Sequence, residues 1–147
     1  MSNIIYNFEK LPSMPERILS ALAYISFGVI GIILLIASAI LKTSLKPFVK
    51  FNVYQSILIG FIFAALQVTF DLLAGLLQLL NIIPFVGTIL NSFFLFIVYY
   101  LMGFPILFNM PILKLAVLGL IIYLTIMTFR GKTPFLPLIS PSIKRFI

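Results

Sequence analysis

The chain has 147 residues, 63% of them hydrophobic and 9% charged, and carries a net charge of +7 from ten Lys and Arg against three acids. A soluble domain is typically about 45–50% apolar and about 25% charged, and a fold this small cannot hide so large an apolar share from water. With no Cys and no His in the chain, a disulfide framework, a thiol nucleophile and a Cys-based metal site are excluded, and the common nucleophile–base pairs lack their members.

The elements expected in chain order are these. Residues 1–12 are mixed in composition. Ser13, Pro15 and Glu16 then mark a helix start, with Ser13 as cap, Glu16 as its capping-box partner and Pro15 in the first turn. A charge-free run over about 18–41 is long enough to cross a bilayer core of about 30 Å. Its Ala37-Ser38-Ala39 looks like a signal cleavage site, but the apolar region before it is longer than a signal core, so it is expected to be retained. Lys42, Lys46 and Lys50 fill the linker, and Pro47 stands near the next helix start. A second span is expected over about 51–80, with 51–55 at the membrane interface. A third follows over about 83–102, and Gly103, Pro105, Asn109 and Pro111 then break the periodicity. A fourth is expected over about 112–129, with Lys114 reaching back to the headgroups. Pro134, Pro137 and Pro141 preclude a continuous helix in the tail 130–147, which reads as lying along the membrane surface.

The fold class is therefore all-α: a single polytopic membrane domain over 1–147, with four transmembrane helices in a bundle, short loops and a non-helical or interfacial tail. An even number of spans puts both termini on one side. Lys10, Arg17, Arg130, Lys132, Lys144 and Arg145 would share that side, facing Lys42, Lys46, Lys50 and Lys114 on the other. This balance favours termini on the cytoplasmic or stromal side. The cations flank apolar runs, where they meet anionic headgroups, and do not form the single basic face that nucleic acid requires.

The second span is the most polar. Ser56, Gly60, Ala64, Gln67, Asp71, Ala74 and Gln78 recur at steps of three and four, so they share one helix face. That face is expected to turn towards the bundle centre, either as packing between helices or as the lining of a path. Asp71 is the one acid inside an expected span. It reads as a proton or cation site or the polar lining of a path, as a carboxyl satisfied by Gln67, Gln78 or Asn91, or as a group near the end of this long helix, close to the headgroups. In the first span Ala21, Tyr24, Gly28, Gly31 and Ser38 form a stripe of helix-contact type, and Tyr99 and Tyr100 read as interface anchors. Nothing calls for catalysis: Gly131-Lys132-Thr133 has the ending of a P-loop, but Ile126 stands where its first glycine belongs. No cofactor and no metal are expected.

Three segments resemble one family. Phe48-Val49-Lys50-Phe51-Asn52-Val53-Tyr54-Gln55-Ser56 is similar to the aromatic-Val-basic-Phe-Asn-x-x-Gln-small segment of the twenty-kilodalton Tic subunit family. Gly131-Lys132-Thr133-Pro134-Phe135-Leu136-Pro137-Leu138-Ile139 resembles that family's Gly-Lys-x-Pro-x-Leu-Pro-x-Ile tail, and Arg17-Ile18-Leu19-Ser20-Ala21-Leu22-Ala23-Tyr24 its Arg-x-x-Ser-Ala-Leu-x-Tyr start. The segments stand in the family's order and cover most of the chain from Arg17 to Ile139, although the stretch before Lys50 is shorter than in plant members. A wider group of small bacterial four-helix membrane proteins shares the middle segment.

The resemblance implies four helices and a subunit in, or derived from, a protein-translocation assembly of a plastid inner envelope or a bacterial plasma membrane. Its partners would be the lipid bilayer, further copies or other membrane subunits, and precursor proteins, with no nucleic acid. The marked residues are Arg17, Lys50, Phe51, Asn52, Gln55, Gly131, Lys132, Pro134 and Pro137. Lys50 would meet lipid phosphate while Phe48 and Phe51 enter the acyl boundary. The alternatives are a small ion or solute transporter or channel built on Asp71, and a structural membrane subunit.

Overall fold

In this computed structural model the residues described are 11–79, 82, 85–98, 112–137 and 139–143. Among them the regular structure is helical throughout: α1 (Met14–Ile25), α2 (Val29–Ile40), α3 (Pro47–Leu79), α4 (Val86–Val98), α5 (Ile112–Phe129) and a single turn, α6 (Ser140–Ile143). The chain divides into two compact units, one of Met1–Ile62 with Leu120–Ile147 and the other of Phe63–Gly119.

Helix α1 begins as its sequence dictates. The Ser13 N–H donates to Glu16 Oε2 at 3.2 Å, and Pro15 sits where a missing N–H costs nothing. The expected straight span over 18–41 does not form. Helix α1 ends at Ile25 with Phe27 and Gly28 both in the left-handed region, φ 53° and 88°. The Phe27 N–H reaches the Tyr24 carbonyl and the Gly28 N–H the Ala23 carbonyl. These paired bonds satisfy the last carbonyls of the helix and turn the chain.

Helices α1 and α2 then form a hairpin on the first half of α3. Along α1, Glu16 pairs with Lys46 and Tyr24 bonds Asn52 and Gln55, so α1 runs parallel to α3. Along α2 the partners descend: Gly28 lies against Ile57, Gly31 against Ser56 and Val53, and Leu34 and Leu35 against the core of Ala23, Phe48, Val49 and Val53. At 12 residues apiece, each arm is about 18 Å long, short of the roughly 30 Å of a bilayer core. The 18–41 segment is therefore two half-length helices that double back.

The turn depends on bare backbone. A Cβ at position 28 would stand 2.6 Å from the Ile57 Cα, and one at Gly60 would overlap the Phe27 carbonyl oxygen. Helix α2 closes as α1 does, with Lys42 in the left-handed region (φ 51°), the Lys42 N–H on the Ala39 carbonyl and the Thr43 N–H on that of Ser38. Helix α5 closes the same way on Gly131, φ 74°.

These contacts bring the start of α1, the end of α2, the start of α3 and the end of α5 to one end of the unit. Arg17, Lys42, Lys46, Lys50, Arg130 and Lys132 gather there. The linker lysines thus share an end with the cations that parity of straight spans would set opposite them. The tail also departs from a surface strip. Thr133, Pro134, Ser140 and Ile143 are buried, and residues 140–143 make a helical turn that includes Pro141.

The second unit contains the rest of α3, α4 and the start of α5. Asn91 and Gly87 of α4 are buried, while Leu72, Leu76, Leu79, Phe93 and Phe96 are exposed. Two described helices are long and apolar enough to cross a membrane, over Pro47–Leu76 and Ile112–Phe129, at mean hydropathies of 2.1 and 2.3. Of their most apolar windows, 6% and 17% is buried. The core helix of a soluble protein would be mostly covered, so the apolar side chains of these two call for an apolar surrounding.

Candidate functional site: a buried polar node joining three segments

The segments around Tyr24, Asn52 and Pro134 meet in the first unit. Tyr24, Asn52 and Gln55 are almost fully buried. The Tyr24 hydroxyl faces Asn52 Oδ1 at 2.9 Å and Gln55 Oε1 at 3.0 Å. Both amide groups are committed on their other side: Asn52 Nδ2 donates to the Phe48 carbonyl at 2.8 Å, and Gln55 Nε2 to the Pro134 carbonyl at 3.2 Å. The phenol is thus the donor for two carbonyl acceptors, and its single proton is shared between them.

Each partner has a local reason for its place. Asn52 returns a bond to its own helix one turn back. The tail around Pro134 has no regular secondary structure, so its carbonyl is not committed to a helix and accepts from Gln55. Gly131 carries no side chain where Arg17 lies; a Cβ there would stand 3.2 Å from Arg17 Nε. Arg17 Nε in turn donates to the Pro12 carbonyl at 2.9 Å. Arg17 and Gly131, far apart in the chain, are therefore in contact.

At the cationic end Lys46 and Glu16 form an ion pair. The hydrogen bond from Lys46, and after it that from Ser13, holds the Glu16 carboxyl below its ordinary range. Phe48 and Phe51 are buried in the protein, where an acyl boundary is expected for them, and Asn52 and Gln55 are core groups where an interfacial start is expected. Lys50 is half-buried, while Lys132 and Pro137 are exposed.

The polar face of α3 is split. Ser56 is buried and bonds the Val53 carbonyl, and Gly60 receives the α1–α2 turn. In the second unit Gln67 is half-buried, and Asp71 and Gln78 are exposed. Among the described residues no hydrogen bond or ion pair reaches Asp71, and Asn91 Oδ1, one of its expected partners, is buried with no hydrogen-bond partner. Gly75, near the same face, has nothing within 4 Å of a Cβ position. Tyr99 and Tyr100 lie outside the described residues.

Sequence reasoning misses the role of Phe27, whose left-handed backbone makes the turn. The nearest signal for it is the pair Gly28 and Gly60, each conspicuous only once α1 and α3 are laid side by side.

Compared with known proteins, the chain matches no family model, no curated protein and no solved structure.

Proposed function

We propose that the chain is an integral membrane subunit of the Tic-like kind, acting in or derived from a protein-translocation assembly. The supporting observation is the node itself: Tyr24, Asn52, Gln55 and Pro134 come from three segments distant in the chain, each resembling that family, and they form one buried hydrogen-bonded unit. A pattern spread over most of a chain has a physical reason to persist when its members hold one another in place.

In this reading α3 and α5 cross the bilayer, and the α1–α2 hairpin enters it and returns to the side it left. Six cations at one end favour a reading in which that end faces the cytoplasm of a bacterium or the stroma of a plastid. The protein works by helix packing and assembly with further copies or other membrane subunits, without a cofactor and without catalysis.

Crosslinking in native membranes, then purification in mild detergent, tests the assembly. Translocation components or precursor proteins in the eluate are expected. A chain that purifies alone at every detergent strength would overturn the reading. A second reading, a transporter or channel built on Asp71, draws on the carboxyl left without a described partner on an apolar helix. It requires flux in liposomes of the pure protein that Asp71→Asn abolishes.

A further inference from the structure

A second feature of the cationic end is independent of the node. A cleft of about 350 Å³ opens between the end of α2, the linker and the start of α3, lined by Leu35, Ser38, Ala39, Thr43, Ser44, Leu45, Lys50 and Tyr54. Its polar side chains are one ammonium and four hydroxyls, each of which can donate a hydrogen bond. The Lys50 ammonium and the hydroxyls of Thr43, Ser44 and Tyr54 find no hydrogen-bond acceptor among the described residues, and no carboxylate lines the cleft. Lys46 is already engaged by Glu16; Lys50 forms no ion pair among the described residues. The remaining wall, Leu35, Ala39 and Leu45, is apolar.

A cation and three hydroxyl donors beside an apolar wall fit an anionic phosphate ester whose oxygens accept all four and whose organic part lies along the leucines. We propose that this cleft binds the phosphate of an anionic ligand, with Lys50 supplying the charge and Tyr54, Thr43 and Ser44 orienting the oxygens. The same chemistry is offered by an anionic lipid headgroup and by a free phosphate. The lipid source rests on the membrane reading above and suits the cleft's position among the cations that seek headgroups.

The test uses the full chain, purified in detergent and stripped of lipid, with three probes: dioleoyl phosphatidylglycerol, dioleoyl phosphatidylcholine and inorganic phosphate. Native mass spectrometry counts adducts and thermal unfolding reads stabilisation. A phosphatidylglycerol adduct that raises the melting temperature, without a matching effect of phosphate, assigns the lipid. An effect of inorganic phosphate alone assigns a soluble ligand. Lys50→Gln is expected to weaken either by about tenfold, since a charge-assisted bond is lost. Tyr54→Phe, which keeps the ring, is expected to weaken it less, and Lys114→Gln to leave it unchanged. Binding that survives Lys50→Gln and Tyr54→Phe undiminished, equal binding of all probes, or no binding of any would overturn the site. Alkaline carbonate extraction of membranes is read in parallel: release of the chain would refute the membrane reading and still leave the phosphate arm to decide the cleft.

Discussion

The carbonyl oxygen of Phe27 lies against the bare Cα of Gly60, so the turn between α1 and α2 meets α3 backbone to backbone. No side chain can be added at that contact without moving one helix off the other. Gly28 stands in the same position towards Ile57, with the added demand of φ 88°. Gly60→Ala and Gly28→Ala are each expected to destabilise the first unit by about 1–3 kcal/mol or more, the range for overpacking, with the second also straining the backbone. Thermal unfolding in detergent measures both; Gly75→Ala, at an open position, is the control and should change little. Equal melting temperatures for the three variants would mean the turn is not seated on α3.

The node gives a second expectation. Tyr24→Phe keeps the ring and removes the proton that Asn52 Oδ1 and Gln55 Oε1 share, leaving two buried carbonyls with no donor. About 1–3 kcal/mol is expected for each acceptor left unsatisfied. Gln55→Ala acts differently, because it also frees the Pro134 carbonyl and with it the tail. Limited proteolysis should then cut between Lys132 and Ile143 faster in Gln55→Ala than in Tyr24→Phe. The same cutting rate in both variants would show that Gln55 does not hold the tail.

The bounds of α5 could be read from the sequence because Pro111 and Gly131 frame an apolar run on both sides, and α3 because a long apolar run follows Pro47. The hairpin could not. Ser26 and Phe27 interrupt neither hydropathy nor helix propensity, and the left-handed turn at Phe27 needs a tertiary neighbour, Gly60, whose bare Cα leaves room for the Phe27 carbonyl. Periodicity groups Ser56, Gly60, Gln67, Asp71 and Gln78 on one face, yet it does not say which part of a face is covered. Tyr24, Asn52, Gln55 and Pro134 all fall in segments singled out by resemblance. Their pairing spans 28 to 79 positions, which no local pattern encodes.

The pair of Glu16 and Lys46 carries a pH dependence with a definite sign. The Glu16 carboxyl is held below its ordinary value of 4.5 in the folded chain. Its contribution is therefore present above that value and lost as pH falls through the folded one. The pair is partly exposed, so the effect is small, within about 1 kcal/mol. The melting temperature should fall on acidification below about pH 4.5, and Lys46→Gln should flatten part of that fall by lowering neutral-pH stability by the same small amount while leaving stability in acid unchanged. A slope unaltered by Lys46→Gln would show that other acids account for all of it.

Topology can be tested without any background, because the chain has no cysteine of its own. Ser13 precedes α1 and Thr43 follows α2, and both are exposed. A straight span over 18–41 would put them on opposite faces of the membrane. The hairpin puts them on the same face, since α1 rises along α3 and α2 returns. Single variants Ser13→Cys and Thr43→Cys, treated with a membrane-impermeant maleimide on intact cells and on inverted vesicles, should both label in the vesicles and neither in the cells. Lys132→Cys, beyond the end of α5, should label with them because Gly131 touches Arg17. Labelling of Ser13→Cys and Thr43→Cys from opposite sides would restore the straight span and separate the Glu16–Lys46 pair by the thickness of the bilayer.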